Sequence, residues 1–402
     1  MTHRRQSCLD VRRPRSVPNV IYLDNHSTTP CDPRVVEAMV PYLTTHFGNP
    51  HSDSHGMGRN AASAMRQGIE SIATILNAPA EMILVTSGAT ESINLAMRGV
   101  LEHPRCRHRR IVTCATEHPA TLDVAQRLHD QGVDVHRLPV DTEGRLNPDS
   151  LREALRTPTA LVTLLWANNE TGMIHPINEI AAIVHEFGSI LHCDATQAVG
   201  RIPVDMKADD VDLLTASAHK FHGPKGVGIL VVGNGQRRIR LTGQIIGGGQ
   251  QNGLRSGTMN PAAVIAMSTA LRLAIDTLGE DATHIRFLRD HLWDRLRESI
   301  DGLELNGPPL SSVERLAGNL NFRLPDVEGE TWMSAAPGVA FSSGSACSST
   351  EPAPSHVLTA MGLSEAQARR SVRFGVGRDN DQTQIETAAE ILIDAYGRVR
   401  PR

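Results

Sequence analysis

From Ile21 to about residue 264, short apolar bursts of strand character take turns with longer helical patterns. The bursts fall at residues 82–86, 111–114, 133–138, 161–165, 190–193, 213–216 and 227–232. Between them lie helical patterns at 59–76, 91–101, 120–131, 148–155 and 177–187. Strand and helix in alternation predict an α/β fold, a mostly parallel seven-stranded sheet with helices on both faces. A long helical run, 261–300, then leads into mixed α and β segments, which predict a second, smaller α+β domain at the C-terminal end.

Composition narrows the chemistry. With 402 residues at 40% hydrophobic and 21% charged, the chain can bury a core. The 40 Lys and Arg against 44 Asp and Glu leave a net charge of −4, so no direct nucleic-acid partner is expected. The best membrane candidate, residues 262–275, is interrupted by Ser268, Thr269 and Arg272, so no membrane partner is expected either. Cysteines at 8, 31, 106, 114, 193 and 347 contain no CxxC pair, which predicts neither a metal site nor a disulfide framework and suits a reducing, cytoplasmic setting. Only three of the basic residues are lysine: Lys207, Lys220 and Lys225. Residues 1–20 carry Arg4, Arg5, Arg12, Arg13 and Arg15 against Asp10 and read as a disordered basic tail.

In an open parallel sheet, ligands bind beyond the carboxyl ends of the strands. Thr86-Ser87-Gly88-Ala89-Thr90-Glu91 turns from a strand straight into a helix and offers backbone N–H groups to a phosphate; the same letters also make a helix cap without a ligand. Glu117-His118 places an imidazole at a strand end. Asn168-Asn169-Glu170 offers amides to a ligand or to an Asx turn. Asp194 follows directly on a buried strand, where a carboxylate calls for a cation or for the start of a helix to cap. The segment from Ser217 to Gly226 holds two of the three lysines, while Lys207 sits in an acidic, solvated stretch. An anion cradle, a histidine, an acid and an amine at successive strand ends are what pyridoxal phosphate requires.

At this point the chain resembles the cysteine desulfurases of the class-V aminotransferase family, which have the fold-type-I pyridoxal phosphate architecture. The resemblance runs from Tyr22-Leu23-Asp24-Asn25 and Phe47-Gly48-Asn49-Pro50 through Gly247-Gly248-Gly249-Gln250 and Arg255-Ser256-Gly257-Thr258. It ends with Ser342-Ser343-Gly344-Ser345-Ala346-Cys347, typical of the family's long-loop group, and Arg373-Phe374. It implies a homodimer with pyridoxal 5'-phosphate as cofactor, L-cysteine as substrate, and a sulfur-acceptor or iron–sulfur scaffold protein as partner. The domains it implies are an N-terminal segment at 21–33 packing on the small domain, a cofactor domain at 34–264, and a small domain at 265–402 carrying the Cys loop.

By position, Lys220 corresponds to the Schiff-base lysine, Asp194 to the partner of the pyridine nitrogen, and His118 to the residue stacked on the ring. Ala89, Thr90, Ser217 and His219 match phosphate positions, Gln197 matches the bond to the phenolic oxygen, and Thr258 matches a phosphate contact from the neighbouring subunit. Asn169 matches a cofactor and substrate position, and Arg373 the substrate carboxylate site. The implied chemistry has Cys347 take sulfur from cysteine as a persulfide and release alanine, with His118 and Lys220 moving protons.

Three positions depart from the family pattern. Asn25-His26-Ser27 replaces an Asn-Asn-Ala type, Ala218 stands where glycine is common, and Trp166 is bulkier than usual and stands to alter the pocket wall. The alternatives are another lyase or aminotransferase of this fold, such as a selenocysteine lyase-like enzyme, and a sulfur-carrier module without catalysis. A dehydrogenase is disfavoured, because no Gly-x-Gly-x-x-Gly follows a first strand.

Overall fold

The computed structural model of the chain describes residues 20–343 and 353–401. Its elements begin with β1 (Ile21–Tyr22), α1 (Pro33–Thr44), α2 (Gly56–Leu76), β2 (Ile83–Thr86), α3 (Ala89–Leu101), β3 (Arg110–Cys114) and α4 (Pro119–Asp130). Next come β4 (Asp134–Leu138), α5 (Pro148–Leu155), β5 (Leu161–Leu165), α6 (Ile177–Glu186), β6 (Ile190–Asp194), β7 (Leu213–Ser217) and β8 (Gly228–Val232). The chain continues through α7 (Pro261–Asp276), α8 (Leu278–Ser299), β9 (Glu304–Leu305), β10 (Asn319–Arg323), α9 (Gly329–Ala335) and β11 (Val339–Ala340). It ends with β12 (Ser342–Ser343), α10 (His356–Ala360), α11 (Glu365–Arg369), β13 (Ser371–Gly375) and α12 (Gln382–Val399).

Seven strands form the large sheet in the order β2-β8-β7-β6-β5-β3-β4. Only β8 runs against the rest, pairing antiparallel with both β2 and β7. Every residue of β5, β7 and β8 is buried, as expected where helices cover both faces. The edge strand β4 is mostly exposed. At the other edge, the Gln251 side chain accepts from Val85 N–H at 2.6 Å and donates to Val85 C=O at 2.9 Å, filling the free side of β2 as a neighbouring strand would. Because β4 and β5 lie on opposite sides of β3, the chain reverses its winding there, and a crevice forms beyond the carboxyl ends.

Inside the sheet, His192 bonds Thr163 Oγ1 at 2.8 Å and Thr215 Oγ1 at 2.9 Å. Burial lowers its pKa to about 4, so it is a neutral core histidine with both ring nitrogens satisfied.

A second core forms around the antiparallel sheet β12-β13-β10-β9, with Phe322, Phe341, Phe374 and Trp332 at its centre. The Phe341 and Phe374 rings stack 4.5 Å apart, and Trp332 Nε1 donates to Leu392 C=O at 2.9 Å. The helical run 261–300 is two helices that meet at 72°, not one. Residues Ala263 to Ala274 of α7 belong to the core of the large sheet, whereas α8 from Leu288 onward packs in the second core. The packing therefore changes sides at the bend near Thr277, a dozen residues beyond position 265.

The N-terminal strap touches both cores. β1 pairs with β11, and Leu23 is fully buried in the second core. The Thr29 and Asp32 N–H groups donate to the carbonyls of His219 and His222 in the segment after β7. No single helix among the described residues is long and apolar enough to cross a membrane.

Candidate active site

The helix α3 starts without a side-chain cap, although α1, α5, α7 and α12 are capped by Asp32, Asn147, Asn260 and Asp381. Its N-cap is Gly88 at φ +154° and ψ −176°, a conformation open essentially to glycine alone. Thr86 Oγ1 bonds Ser92 Oγ at 2.8 Å, and Glu91 is drawn aside to Arg255 and the Ser87 N–H. The first turn around Ala89 and Thr90 thus faces outward with its N–H groups and the positive end of the helix dipole. Ser217 is close by: a β-carbon on Gly88 would lie 3.7 Å from its Oγ. Such a helix start offers the geometry of an anion cradle.

Lys220 follows β7 and is turned back under the strap. Its Nζ donates to the carbonyls of His26 at 2.8 Å and Ser27 at 2.6 Å. Burial, then the positive charges of Arg201 and Arg373, bring its pKa down to about 7, against a smaller pull upward from Asp194 and Asp24. Gln197 Nε2 donates to the same His26 carbonyl at 2.8 Å. Asp194 closes β6 and is buried, its Oδ1 accepting the Thr196 N–H at 3.0 Å, so it caps the following turn locally and also bears on Lys220.

His118 is the N-cap of α4, and its Nδ1 accepts the Ala120 N–H at 3.1 Å. The neutral ring therefore carries its proton on Nε2. The residue as a whole reaches solvent at the crevice mouth, yet the walls desolvate its imidazole and lower its pKa, against the opposing charge of Asp194. Next to it, the buried Glu117 accepts the Leu165 N–H at 2.8 Å. Burial, with Asp194 adding to it, raises that carboxyl well above the usual carboxylate range. His219 Nδ1 lies 3.1 Å from Thr28 Oγ1, and burial with Lys220 nearby lowers its pKa to about 4.

The two asparagines after β5 divide their work. Asn168 is spent on an Asx turn, its Oδ1 accepting from Glu170 and Thr171 N–H and its Nδ2 donating to Thr116 C=O. Asn169 gives its carbonyl to Arg373 Nη1 at 3.2 Å. Arg373 Nη2 is shared between Asp24 Oδ1 at 2.8 Å and Ser342 Oγ at 2.9 Å, while its Nε is buried without a partner.

The fold thus brings Lys220, Asp194, His118, Gln197, Asn169 and Arg373 to one crevice, with Ala89, Thr90 and Ser217 at the adjacent cradle. Thr258 lies apart on an exposed stretch before α7. Cys347 and the neighbouring Ser345 and Ala346 lie outside the described residues, as do residues 1–19 of the basic tail. Trp166 is buried in the core of the large sheet. Ala218 fits because residue 223 is glycine: a β-carbon there would stand 2.6 Å from the Ala218 Cβ.

The sequence reading missed Arg201 and gave Asp24 and Glu117 no role of their own. Nothing singles out Arg201 in a chain whose basic residues are almost all arginine. Asp24 was visible only as part of a motif.

The sequence profile of the family described as Aminotransferase class-V matches residues 21–387. A cysteine desulfurase IscS of Anaeromyxobacter dehalogenans (strain 2CP-C) is 44% identical over 380 residues, covering 94% of this chain and 93% of that protein. The solved structure of a NifS-like protein superposes with a TM-score of 0.87 at 32% identity, over 94% of this chain and 100% of the other. A second solved structure, SspA in complex with cysteine, matches at a TM-score of 0.77 and 30% identity, over 89% of this chain and 99% of that one. The chain belongs to the class-V aminotransferase family.

Proposed function

We infer that this chain is a pyridoxal phosphate-dependent cysteine desulfurase, converting L-cysteine to L-alanine and passing the sulfur through Cys347 to an acceptor protein of iron–sulfur assembly or thiolation. The observation that carries the reading is Lys220, whose desolvated amine has a pKa of about 7 and feels the buried Asp194, in a fold that also leaves the start of α3 uncapped. These donors fit the cofactor: N–H groups of Ala89 and Thr90 with Ser217 and His219 for the phosphate, Asp194 for the ring nitrogen, Gln197 for the phenolic oxygen and His118 against the ring. When bound, pyridoxal phosphate supplies an aldehyde that captures amines and a ring that accepts electron density from the substrate α-carbon.

The remaining roles fall to the chain itself. Arg373, fixed by Asn169 C=O, offers its fork to the substrate carboxylate, with Asp24 and Ser342 yielding Nη2 to it. Lys220, about half of it free of its proton at pH 7, takes the α-proton and returns one to the β-carbon and, at the end, one to the α-carbon. His118 holds a proton on Nε2 toward the crevice and exchanges it with the substrate thiol. The Cys347 thiolate attacks the substrate sulfur; a sulfur–sulfur bond forms as the carbon–sulfur bond breaks, leaving a persulfide and alanine.

A second copy of the chain completes the cradle in this reading. Val40, Leu43, Phe47, Met57, Ile245 and Ile246 leave apolar surface exposed, and Thr258 lies exposed on the same stretch as the two isoleucines. Cytoplasmic residence belongs to the same reading, since it keeps substrate and acceptor thiols reduced. The test is to purify the protein, record its visible spectrum, trap bound cofactor with borohydride and map the labelled peptide, and measure alanine and sulfide from L-cysteine. Label on Lys220, equimolar alanine, and loss of both products in Cys347→Ser with cofactor retained are expected. A colourless protein, or label elsewhere, refutes the reading.

A further inference from the structure

Arg201 lies beside Lys220, and among the described residues no carboxylate bonds to it. Its Nη2 donates to Asn25 C=O at 2.6 Å and Lys220 C=O at 3.0 Å, its Nε reaches the same Lys220 carbonyl at 3.2 Å, and its Nη1 lies 2.6 Å from His26 Nδ1. A guanidinium only donates, so His26 Nδ1 accepts and the ring proton resides on Nε2, which is buried without a partner. The Gln197 Oε1, 3.2 Å from the same Nδ1, is then a contact with no proton to share. Burial, Arg201 and Arg373 all push the His26 pKa well below its ordinary value, so the ring is neutral and its role is geometric.

What this pair holds in place is the backbone that receives the Lys220 amine. The His26 carbonyl accepts from both Lys220 Nζ and Gln197 Nε2, using both lone pairs, and the Ser27 carbonyl takes Lys220 as well. Asn25 and His26 pack against Gly375 and Gly377 on one side, and on the other line, with Arg201 and Lys220, a cavity of about 70 Å³ shared with His222 and Asp281. On the cavity side the Arg201 hydrogen bonds hold the strap to the Lys220 backbone.

We propose that Arg201 and His26 are positioning residues for Lys220: together they lock Asn25–Ser27 against the Lys220 backbone and so build the two-carbonyl seat for the amine whenever it is not bonded to cofactor. The inference rests on the reading of Lys220 as the cofactor lysine. The seat gives the free amine one orientation, which speeds cofactor capture and holds the amine ready for proton transfer. Asp24, Asp194, Arg373 and Arg201 are the charged groups acting on that amine, and none of them is altered by a substitution at His26.

The test uses apoenzyme of the full chain with Arg201→Gln, His26→Ala and His26→Asn. Hydrogen exchange of the amides in residues 24–28 is followed by mass spectrometry, and cofactor capture by stopped-flow absorbance. Loss of one hydrogen bond to a charged group predicts roughly tenfold faster exchange and a comparably slower capture in Arg201→Gln and His26→Ala. His26→Asn, which restores an acceptor for Arg201, returns both towards wild type, whereas damage to folding alone would not be rescued by it. Wild-type exchange and capture in His26→Ala overturn the proposal, as does a His26→Asn protein as impaired as His26→Ala. Borohydride label absent from Lys220 in the wild type instead defeats the functional reading, and the apoenzyme exchange data separate the two failures.

Discussion

Replacing Lys220 by methionine removes a buried amine at nearly constant volume and gives a quantitative check on its environment. In the fold the amine titrates at about 7; in the unfolded chain an ordinary lysine titrates near 10.4. The folded pKa is the lower of the two, so between about pH 7 and pH 10 the unfolded state binds the extra proton, and stability rises with pH by up to about 1.4 kcal/mol per unit. From pH 7, where the folded amine is half protonated, to pH 9, the wild-type apoenzyme gains about 2 kcal/mol from this residue and Lys220→Met gains nothing. The variant also loses the bonds to the His26 and Ser27 carbonyls, about 1 kcal/mol each, which is a pH-independent offset. Calorimetry of the two apoproteins across pH 6 to 10 reads the difference. It should climb from pH 7 to 9 and level off as the unfolded lysine itself titrates; below pH 7 it should flatten. A difference that stays flat throughout refutes the reasoning that burial and two guanidinium groups depress this amine.

Gly88→Ala has room for its methyl, so its cost is backbone strain of about 1–3 kcal/mol, and equilibrium titration of the apoprotein should find cofactor affinity lowered by roughly tenfold or more. Arg373→Lys keeps a charge but loses the fork; steady-state kinetics should give a KM for L-cysteine raised by about 10- to 100-fold, with cofactor content unchanged. Glu117→Gln should gain stability relative to the wild type as pH rises above the ordinary carboxylate range, because the folded carboxyl is held well above that range while the unfolded one gives up its proton, and the amide has none to lose though its oxygen still accepts the Leu165 N–H; denaturant unfolding from pH 4 to 8 checks this, and a pH-independent difference counts against it.

The large sheet was legible because its central strands are buried on both faces: largely apolar runs such as Leu161–Leu165 and the run ending at Val232 have no competing amphipathic reading. The bend at Thr277 was not legible, since apolar spacing continues across it and the break depends on which core each helix meets. Two-residue strands such as β9 and β11 are too short for any periodicity. Within the crevice, residues at strand ends could be located because topology assigns chemistry to those positions. The division between Asn168 and Asn169 could not, because both the turn and the Arg373 contact are set by the folded chain. Arg201 escaped for the same reason: its partners are main-chain oxygens 19 and 176 residues distant in sequence and a histidine ring 175 away, which no local pattern records.

The glutamine that fills the free side of β2 reaches further than the sheet. Gln251 fastens its own loop to Val85, and Arg255, four residues on, grips Glu91 in the first turn of α3. The surface carrying Thr258 is thereby splinted to the same helix start that forms the anion cradle. In a two-fold pair, whatever one copy offers its twin would be braced against its own cradle, so loosening either splint should disturb phosphate binding in both halves at once.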